Sequence, residues 1–318
     1  MEQMIYVASH DPQGGIYRFS LSGDGRLTLL ERYPMDRPAW LCRSGNKLYA
    51  LLREPFMMHS GVAEFDIRPD GSLQQVGKIR PTHGAVAAHI LCWRGRLYAA
   101  NYLTGTTVRL PDKIVAHSGS SVNPRRQDCS HPHCLTPTPD GKYLCINDLG
   151  TDCIYVCTPD LEEVSRVSVP AGSGPRHLVF SRDGRFAYGS NEMASTVSVF
   201  SYCDGVLTHL KAISSLPGDF RGENSGAAIR LSPDGRTLYA SNRGHDSVCI
   251  WDVDGDKLTG KRFLMVQGQS PREMVLAGKF LLCGNEGSAT ITVFNLETGE
   301  LTDRASVVRP WGILPVQL

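Results

Sequence analysis

The segment LSPDGRTLYASN at residues 231–242 has the pattern of a strand, a Pro-Asp-Gly turn and a second strand ending in Asn. Close copies are TPTPDGKYLCIN at 136–147 and FSRDGRFAYGSN at 180–191, and weaker copies lie at 41–50, 91–101 and 275–285. The turn glycines of these six copies are spaced 50, 46, 43, 51 and 43 residues apart. This spacing is typical of the four-stranded blade of a β-propeller.

The residues that follow each copy complete a blade. A third strand is predicted where apolar and polar residues alternate, as in Thr196–Phe200, Ser247–Trp251 and Thr290–Phe294. A second turn, such as Asp204-Gly205, then leads to a fourth and more polar strand. No strong amphipathic helix is predicted, so the fold class is all-β.

The two ends of the chain together supply one further unit. Six full units begin near residues 36, 82, 131, 174, 225 and 270. The N-terminal segment Ile5–Ser9 resembles a second strand, and Pro310–Gln317 resembles the first strand at Pro175–Phe180. We therefore predict one domain over residues 1–318, a seven-bladed propeller in which the C-terminal strand joins the N-terminal blade and leaves no open sheet edge.

Composition excludes several classes of protein. Lys and Arg number 33 against 32 Asp and Glu, a near-balance that excludes the basic surface of a dedicated nucleic-acid binder. No run of about 18 apolar residues predicts a membrane span, so we expect no membrane association. The N-terminus lacks the pattern of a secretory signal, and we expect a cytoplasmic protein whose ten cysteines are free thiols.

Polar residues recur at two positions of the repeat, the start of the first strand and the end of the second strand. Because these two strands are antiparallel neighbours, a propeller brings both positions to the same face. Residues at first-strand starts include His133, Arg176, Arg272 and Trp311, each preceded by proline. Residues that follow the second strand are Tyr102, Asp148, Glu192, Arg243 and Glu286. Because a propeller does not need these groups for folding, we predict that they form the functional site.

The same residues admit purely structural interpretations. Arginine and glutamate at a channel mouth can be structural ion pairs. Asp148 can cap the backbone of its own turn, residues 148–152. His10, His117 and His209 are interpreted as loop or surface residues.

The segment Cys129-Ser-His-Pro-His-Cys134 is similar to a zinc motif. Two histidines two residues apart on a strand point to one side, but Cys134 would point away and no CxxC pair accompanies it. We therefore predict a polar histidine pair and no metal site. The alternative is a catalytic metal held by His131, His133 and Glu192. The chain has no nucleophile elbow, Walker loop or HExxH motif.

Four motifs in order resemble the seven-bladed propeller lactonase family. They are His131-Pro-His133 with the turn 147–152, Gly174–His177, Asn191-Glu192 and Ser241–Asp246. The family includes propeller-type 6-phosphogluconolactonases and is related to carboxymuconate-cyclising enzymes. The resemblance implies catalytic roles for His133, Arg176, Glu192 and Arg243. The other polar residues at the predicted mouth are expected to bind substrate: His131, His177, Arg272, Asp148 and Tyr102.

The function implied is hydrolysis of an anionic sugar lactone, 6-phosphogluconolactone to 6-phosphogluconate, a reaction of the pentose phosphate pathway. Arg176 and Arg243 suit the charge that develops on oxygen, and either Glu192 or His133 could be the base. We prefer Glu192 as the base and His133 as the donor to the leaving ring oxygen; no cofactor is required.

Two alternatives stay open. A lactonising cyclase would need the same cationic site. A protein-binding propeller is disfavoured because Trp251-Asp252 is the only WD dipeptide.

Two long segments, 117–130 and 213–226, precede first strands on the predicted functional face. Segments of this length are often functional. Their arginines, Arg125, Arg126 and Arg221, could extend the cationic mouth toward an anionic group of the substrate.

Overall fold

The computed structural model describes residues 3–317. Over this range the chain forms β-strands connected by turns and loops, and no helix is present. No helix long and apolar enough to cross a membrane is found among these residues. The strands fall into two compact units. Unit 1 comprises the described residues up to His83 and those from Val266, and unit 2 comprises Gly84–Met265.

Unit 1 contains three four-stranded sheets. The first holds β1 (Gln3–Ser9), β2 (Gly15–Leu21), β3 (Leu27–Pro34) and β28 (Pro310–Val316), in the order β28-β1-β2-β3. The second holds β4 (Pro38–Ser44), β5 (Lys47–Phe56), β6 (His59–Ile67) and β7 (Leu73–Ala85). The third holds β24 (Pro271–Ala277), β25 (Phe280–Asn285), β26 (Thr290–Asn295) and β27 (Leu301–Ser306).

Unit 2 contains four sheets of the same kind. Their strands are β8 (Ala87–Trp93), β9 (Arg96–Asn101), β10 (Thr106–Leu110) and β11 (Lys113–Ala116); β12 (Pro132–Pro137), β13 (Leu144–Asp148), β14 (Cys153–Cys157) and β15 (Glu163–Ser168); β16 (Pro175–Phe180), β17 (Phe186–Asn191), β18 (Thr196–Cys203) and β19 (Val206–Ser214); and β20 (Ser225–Leu231), β21 (Thr237–Arg243), β22 (Ser247–Asp254) and β23 (Lys257–Met265).

The seven sheets confirm the seven predicted blades. Within the described residues, β28 pairs antiparallel with β1, with Val7 opposite Ile313, so the C-terminal strand completes the N-terminal blade. First strands begin close to the predicted positions, except that β8 begins at Ala87 rather than near residue 82. The difference arises because the outer strand β7 continues to Ala85.

The Asp-Gly turns between first and second strands share one pattern of hydrogen bonds. Asp234 Oδ1 accepts hydrogen bonds from the Ser232 hydroxyl and from the Arg236 backbone N–H. The next residue, Gly235, has φ +76°, a left-handed conformation that glycine adopts without strain. Asp183 with Gly184 forms the equivalent turn. This hydrogen bonding explains why the Asp-Gly pair recurs at the turn after the first strand in these blades.

Apolar residues on alternate strand positions form cores within each unit. One cluster in unit 2 packs β16–β19 against β20–β23 and includes the fully buried Tyr188, Leu238 and Trp251. One cluster in unit 1 joins β1, β2, β28 and the β24–β27 sheet through residues such as Val7, Phe19 and Leu282. The last strands of the sheets are more exposed, which agrees with their polar composition.

A bulge at the second residue of the first strand is the local feature that builds the site. In β16, Pro175 pairs with Asn191 and His177 with Ser190, so the strand register skips Arg176. The same register shift falls at His133 in β12, at Arg272 in β24 and at Trp311 in β28. A bulge turns its extra residue away from the regular pleat, and it places these four side chains at equivalent positions.

Candidate active site

Glu192 is the centre of an ion-pair cluster in unit 2. It follows β17 directly, and its backbone N–H donates to Gly174 O at 2.7 Å. Its carboxylate accepts hydrogen bonds from Arg176 Nε at 3.1 Å and from Arg126 Nη2 at 2.7 Å, and Arg243 Nη2 lies 3.1 Å from Oε2. Three guanidinium groups therefore surround one buried carboxylate.

The three arginines reach Glu192 from different elements. Arg176 is the bulged residue of β16 and is buried. Arg243 ends β21, and its Nη2 also donates to Gly226 O at 3.1 Å. Its Nε is buried and has no hydrogen-bond partner among the described residues. Arg126 lies in the loop before β12, and its side chain is 44% exposed. The cluster is thus closed on the protein side and open at Arg126.

The surrounding charges determine the ionisation of Glu192. Burial by itself raises the pKa of this carboxyl, but Arg243, Arg176, His133 and the hydrogen bond from Arg126 outweigh burial and hold the pKa well below its ordinary value. Glu192 is therefore ionised at neutral pH. A carboxylate held at so low a pKa is a weak base as long as all three arginines remain paired with it.

Buried imidazoles lie beside the arginines. The ring of His133 is 5.4 Å from that of His177, which is 6.3 Å from that of His89. Burial, and then the charge of Arg176, holds the pKa of His177 well below its ordinary value. Burial, with Arg230 and Arg176, lowers the pKa of His89 to about 3. Because Arg176 Nη1 can only donate, the Nε2 atom of His177 at 3.0 Å accepts, so its proton is on Nδ1.

Tyr102 and His131 form the next layer. Their rings stack at 4.4 Å, and Tyr102 also makes an edge contact with His133 at 6.0 Å. The Tyr102 hydroxyl accepts a hydrogen bond from Arg126 Nη2 at 3.4 Å. This aromatic pair therefore connects the loop that carries Arg126 to the bulged His133.

Asp148 is fully buried and is directed at backbone groups. Its Oδ1 accepts from the N–H groups of His131, Gly150 and Thr151 at 2.7, 3.0 and 3.2 Å, and its Oδ2 accepts from the Ser130 hydroxyl. The structure thus shows the turn-capping arrangement that the sequence left open. A substrate contact by Asp148 stays a prediction.

Arg272 lies in unit 1, where it forms a different cluster. It faces Glu286 at 3.7 Å and lies over the ring of Trp311 at 3.9 Å. His10 also stacks on Trp311, with ring centroids 3.7 Å apart. His10 lies in the loop after β1, as the sequence indicated, but it is not a surface residue: its ring is buried, and burial, then Arg53, lowers its pKa to about 3.

The structure brings together most of the predicted residues of unit 2: His131, His133, Arg176, His177, Glu192, Arg243 and Tyr102. Sequence reasoning missed His89. In the structure Ala87 pairs with Asn101 and His89 with Ala100, so His89 occupies the position in β8 that His177 occupies in β16. Aligning the degenerate repeat strand by strand would have identified it.

The two long loops contribute unequally. Arg126 reaches Glu192 and Tyr102, whereas Arg221 donates to the carbonyls of Gly218 and Phe220 within its own loop. Arg125 is exposed, and its backbone N–H is capped by Asn123. Only the first loop therefore supplies a cation to the described cluster.

The family model described as "Lactonase, 7-bladed beta-propeller" matches residues 4–310. An uncharacterised protein of Staphylococcus epidermidis is 34% identical over 325 residues, covering 93% of this chain and 94% of the relative. An uncharacterised protein of Staphylococcus aureus is 33% identical with the same coverage.

Solved structures share the whole fold. A Lactobacillus plantarum protein superimposes with a TM-score of 0.91 at 29% identity and covers 100% of both chains. A Bacteroides fragilis protein provisionally assigned as a 6-phosphogluconolactonase has a TM-score of 0.89 at 30% identity, covering 99% of this chain and 98% of its own. The periplasmic gluconolactonase of Pseudomonas aeruginosa has a TM-score of 0.89 at 28% identity, covering 100% and 99%.

Proposed function

Because the chain belongs to the family of seven-bladed β-propeller lactonases, we propose that it hydrolyses an anionic sugar lactone to the open-chain acid. The substrate we favour is 6-phosphogluconolactone. The observation that carries the proposal is the cluster in unit 2 of three arginines around the single carboxylate of Glu192. The relatives provisionally assigned as 6-phosphogluconolactonases support the choice of substrate.

The charge balance of the cluster favours an anionic ligand. Arg126, Arg176 and Arg243 carry three positive charges against one negative charge on Glu192. His177 and His89 are neutral at pH 7 because their pKa values are depressed. Buried charge without a counter-charge is costly, and a phosphate or carboxylate brought by the substrate would offset the excess. The buried Nε–H of Arg243 is a further donor for such a group.

The arginines divide into two roles in this proposal. Arg176 is buried, the side chain of Arg243 is only 13% exposed, and both are held by Glu192, which suits them to stabilise negative charge on the carbonyl oxygen as water attacks. Arg126 is the most exposed of the three and lies on a loop, which suits it to bind the phosphate. Tyr102 and His131 position Arg126 and the substrate ring.

The proton transfers require a base and an acid. Water attacks the lactone carbonyl carbon while the base takes a proton from it, and the ring C–O bond breaks as the leaving oxygen receives a proton. We assign the base to Glu192 and the proton donor to His133. Glu192 becomes a stronger base when the substrate anion competes for its arginines, since each lost cation allows its pKa to rise. No step of this scheme uses a cofactor.

The test is a panel of lactones with and without a phosphate group. Acid release is measured against the spontaneous rate for the wild type and for Arg176→Gln. The control is Arg262→Gln, an exposed arginine paired with Asp252 in the same unit. We expect hydrolysis of the phosphorylated lactone well above the spontaneous rate, lost with Arg176→Gln and retained with Arg262→Gln. Hydrolysis of no lactone above the spontaneous rate would overturn the proposal.

A further inference from the structure

Three donor atoms converge at the end of the loop that carries Arg126. His131 Nε2 lies 3.4 Å from Asp128 Oδ1 and 3.8 Å from Cys129 Sγ, and one donor atom from each residue lies within 4.8 Å of the others. Around a tetrahedral Zn²⁺ with bonds of about 2.0–2.3 Å, neighbouring donors are separated by roughly 3.3–3.8 Å. The two distances to Nε2 therefore match a zinc site before any ion is bound.

The hydrogen bonding of His131 prepares its ring for a metal. The Nδ1 atom lies 2.8 Å from the carbonyl oxygen of Tyr102, which can only accept. In the neutral ring the proton is therefore on Nδ1, and Nε2 presents its lone pair to Asp128 and Cys129. A backbone carbonyl behind the distal nitrogen is the usual support of a metal-binding histidine. Stacking on Tyr102 at 4.4 Å fixes the plane of the ring.

The backbone beneath the three residues is held by the turn after β13. The buried Gln127 donates from Nε2 to Leu149 O at 2.9 Å, and Leu149 N donates to His131 O at 3.0 Å. A Cβ on Gly150 would overlap the carbonyl oxygen of Cys129, so the two backbones are in close contact. The donors of Asp128 and Cys129 therefore project from a backbone that is fixed on both sides.

Charge and access also suit a divalent ion. Asp128 and a Cys129 thiolate would carry two negative charges, which balance those of Zn²⁺. Asp128 and Cys129 are exposed, while His131 is buried. An ion can therefore enter from solvent, with water as the fourth ligand, as in zinc sites that have three protein ligands.

We propose that this protein binds one Zn²⁺ ion through Asp128, Cys129 and His131. This site differs from the predicted alternative of a metal held by His131, His133 and Glu192, because the Nε2 atom of His131 faces its own loop. The ion would hold the loop in the position from which Arg126 contacts Glu192 and Tyr102. Any effect of the ion on lactone hydrolysis through Arg126 rests on the proposed function, whereas metal binding does not.

The test uses the full-length protein freed of metal by chelation and titrated with Co²⁺, with no lactone present. A thiolate ligand gives Co²⁺ an intense near-ultraviolet charge-transfer band, and tetrahedral coordination gives strong visible bands. We expect saturation at one equivalent, reversal by Zn²⁺ and no response to Mg²⁺. Cys129→Ser should abolish the charge-transfer band, and Asp128→Asn should weaken binding by about tenfold or more, since each removes one of few ligands.

The matched control is Cys203→Ser, which alters an exposed cysteine in another blade of unit 2 and should leave the titration unchanged. Circular dichroism and thermal unfolding establish that each variant is folded, which we expect because Asp128 and Cys129 are exposed. If the wild type gives no charge-transfer band, Cys129 does not bind the ion. Asp128 and His131 would then form only an ion pair, and this outcome would overturn the proposal. A band that survives Cys129→Ser, or one that Cys203→Ser removes, would also overturn it. Because no lactone is present, these outcomes are independent of whether the protein is a lactonase.

Discussion

The β16–β19 and β24–β27 sheets carry the same residue types at the same positions but build different clusters. In each, an arginine occupies the bulge of the first strand and a glutamate follows the second strand: Arg176 with Glu192, and Arg272 with Glu286. The first pair has side chains only 3% and 8% exposed and an N–O distance of 3.1 Å. The second pair is 19% and 25% exposed, with a distance of 3.7 Å.

The neighbours of each pair make the difference. Arg126 and Arg243 join Glu192 and hold its pKa well below the ordinary value. Arg272 instead lies on the ring of Trp311, which also stacks on His10. The repeat thus supplies equivalent positions, and the side chains from adjacent strands and loops decide whether a pair becomes a buried cationic cluster or a half-exposed ion pair.

The largest expected difference between the two pairs is in turnover. Glu192→Gln keeps the shape of the side chain but removes the base and the charge that holds three arginines, so we expect kcat to fall about a hundredfold or more. Glu286→Gln is the matched control and should retain most of the activity. The measurement is the initial rate of lactone hydrolysis, with thermal unfolding as a check of folding. Equal losses in both variants would contradict the distinction drawn between the clusters.

Buried histidines provide a second comparison, in which the two units should behave alike. The pKa of His89 in unit 2 and that of His10 in unit 1 are both lowered to about 3, in each case chiefly by burial. The unfolded chain protonates both rings below a pH of about 6.5, so the unfolded state binds more protons and stability falls as the pH drops from about 6.5 toward 3.

Each ring should contribute up to about 1.4 kcal/mol of lost stability per pH unit in that window. Urea unfolding between pH 7 and 4.5 measures this slope. His89→Gln and His10→Gln should each flatten it, whereas His59→Gln, at an exposed position, is the control. A slope that is unchanged in both variants would show that these rings are not the acid-sensitive groups.

Much of the fold could be predicted because its signals are local. The Asp-Gly turns, the asparagine at the end of the second strand and the proline before the bulges at His133, Arg176, Arg272 and Trp311 lie within a few residues of the structure they specify. These signals located the blades, and they identified His133, Arg176, Glu192 and Arg243 as equivalent strand-end residues. The split blade was also predictable, because the β28 sequence resembles that of β16.

The remaining features depend on contacts between distant residues. The burial of His10 could not be predicted because its partner Trp311 lies at the other end of the chain, and no local pattern connects them. Arg126 lies in a loop without periodicity and meets Glu192 across 66 residues. The depressed pKa of Glu192 is the balance of burial against several cations, so sequence alone could not show that the preferred base is weak in the absence of substrate.

A smaller effect should separate the two arginines of the loop before β12. Arg126→Ala removes contacts to Glu192 and Tyr102, so we expect KM for a phosphorylated lactone to rise about tenfold, the usual scale for one charge-assisted hydrogen bond. KM for the unphosphorylated lactone should change little. Arg125→Ala and Arg221→Ala are the controls. The rise in KM that Arg126→Ala causes for the phosphorylated lactone should be smaller at high salt, because Arg126 is partly exposed and its charge is screened. Equal changes on both lactones would remove the phosphate role from Arg126.

The smallest expected effect is the coupling energy of the half-exposed pair. Partly exposed ion pairs stabilise proteins by about 0–1 kcal/mol, so Arg272→Gln and Glu286→Gln should be nearly additive in a double-mutant cycle. Arg176→Gln and Glu192→Gln should instead couple by about 1.5 kcal/mol or more, because their hydrogen bond is buried and charged. Urea unfolding of the wild type and the six variants gives both coupling energies under one condition. If the coupling of Arg272 with Glu286 equals that of Arg176 with Glu192, the neighbours do not distinguish the two pairs energetically, and this outcome would contradict the contrast drawn between the two sheets.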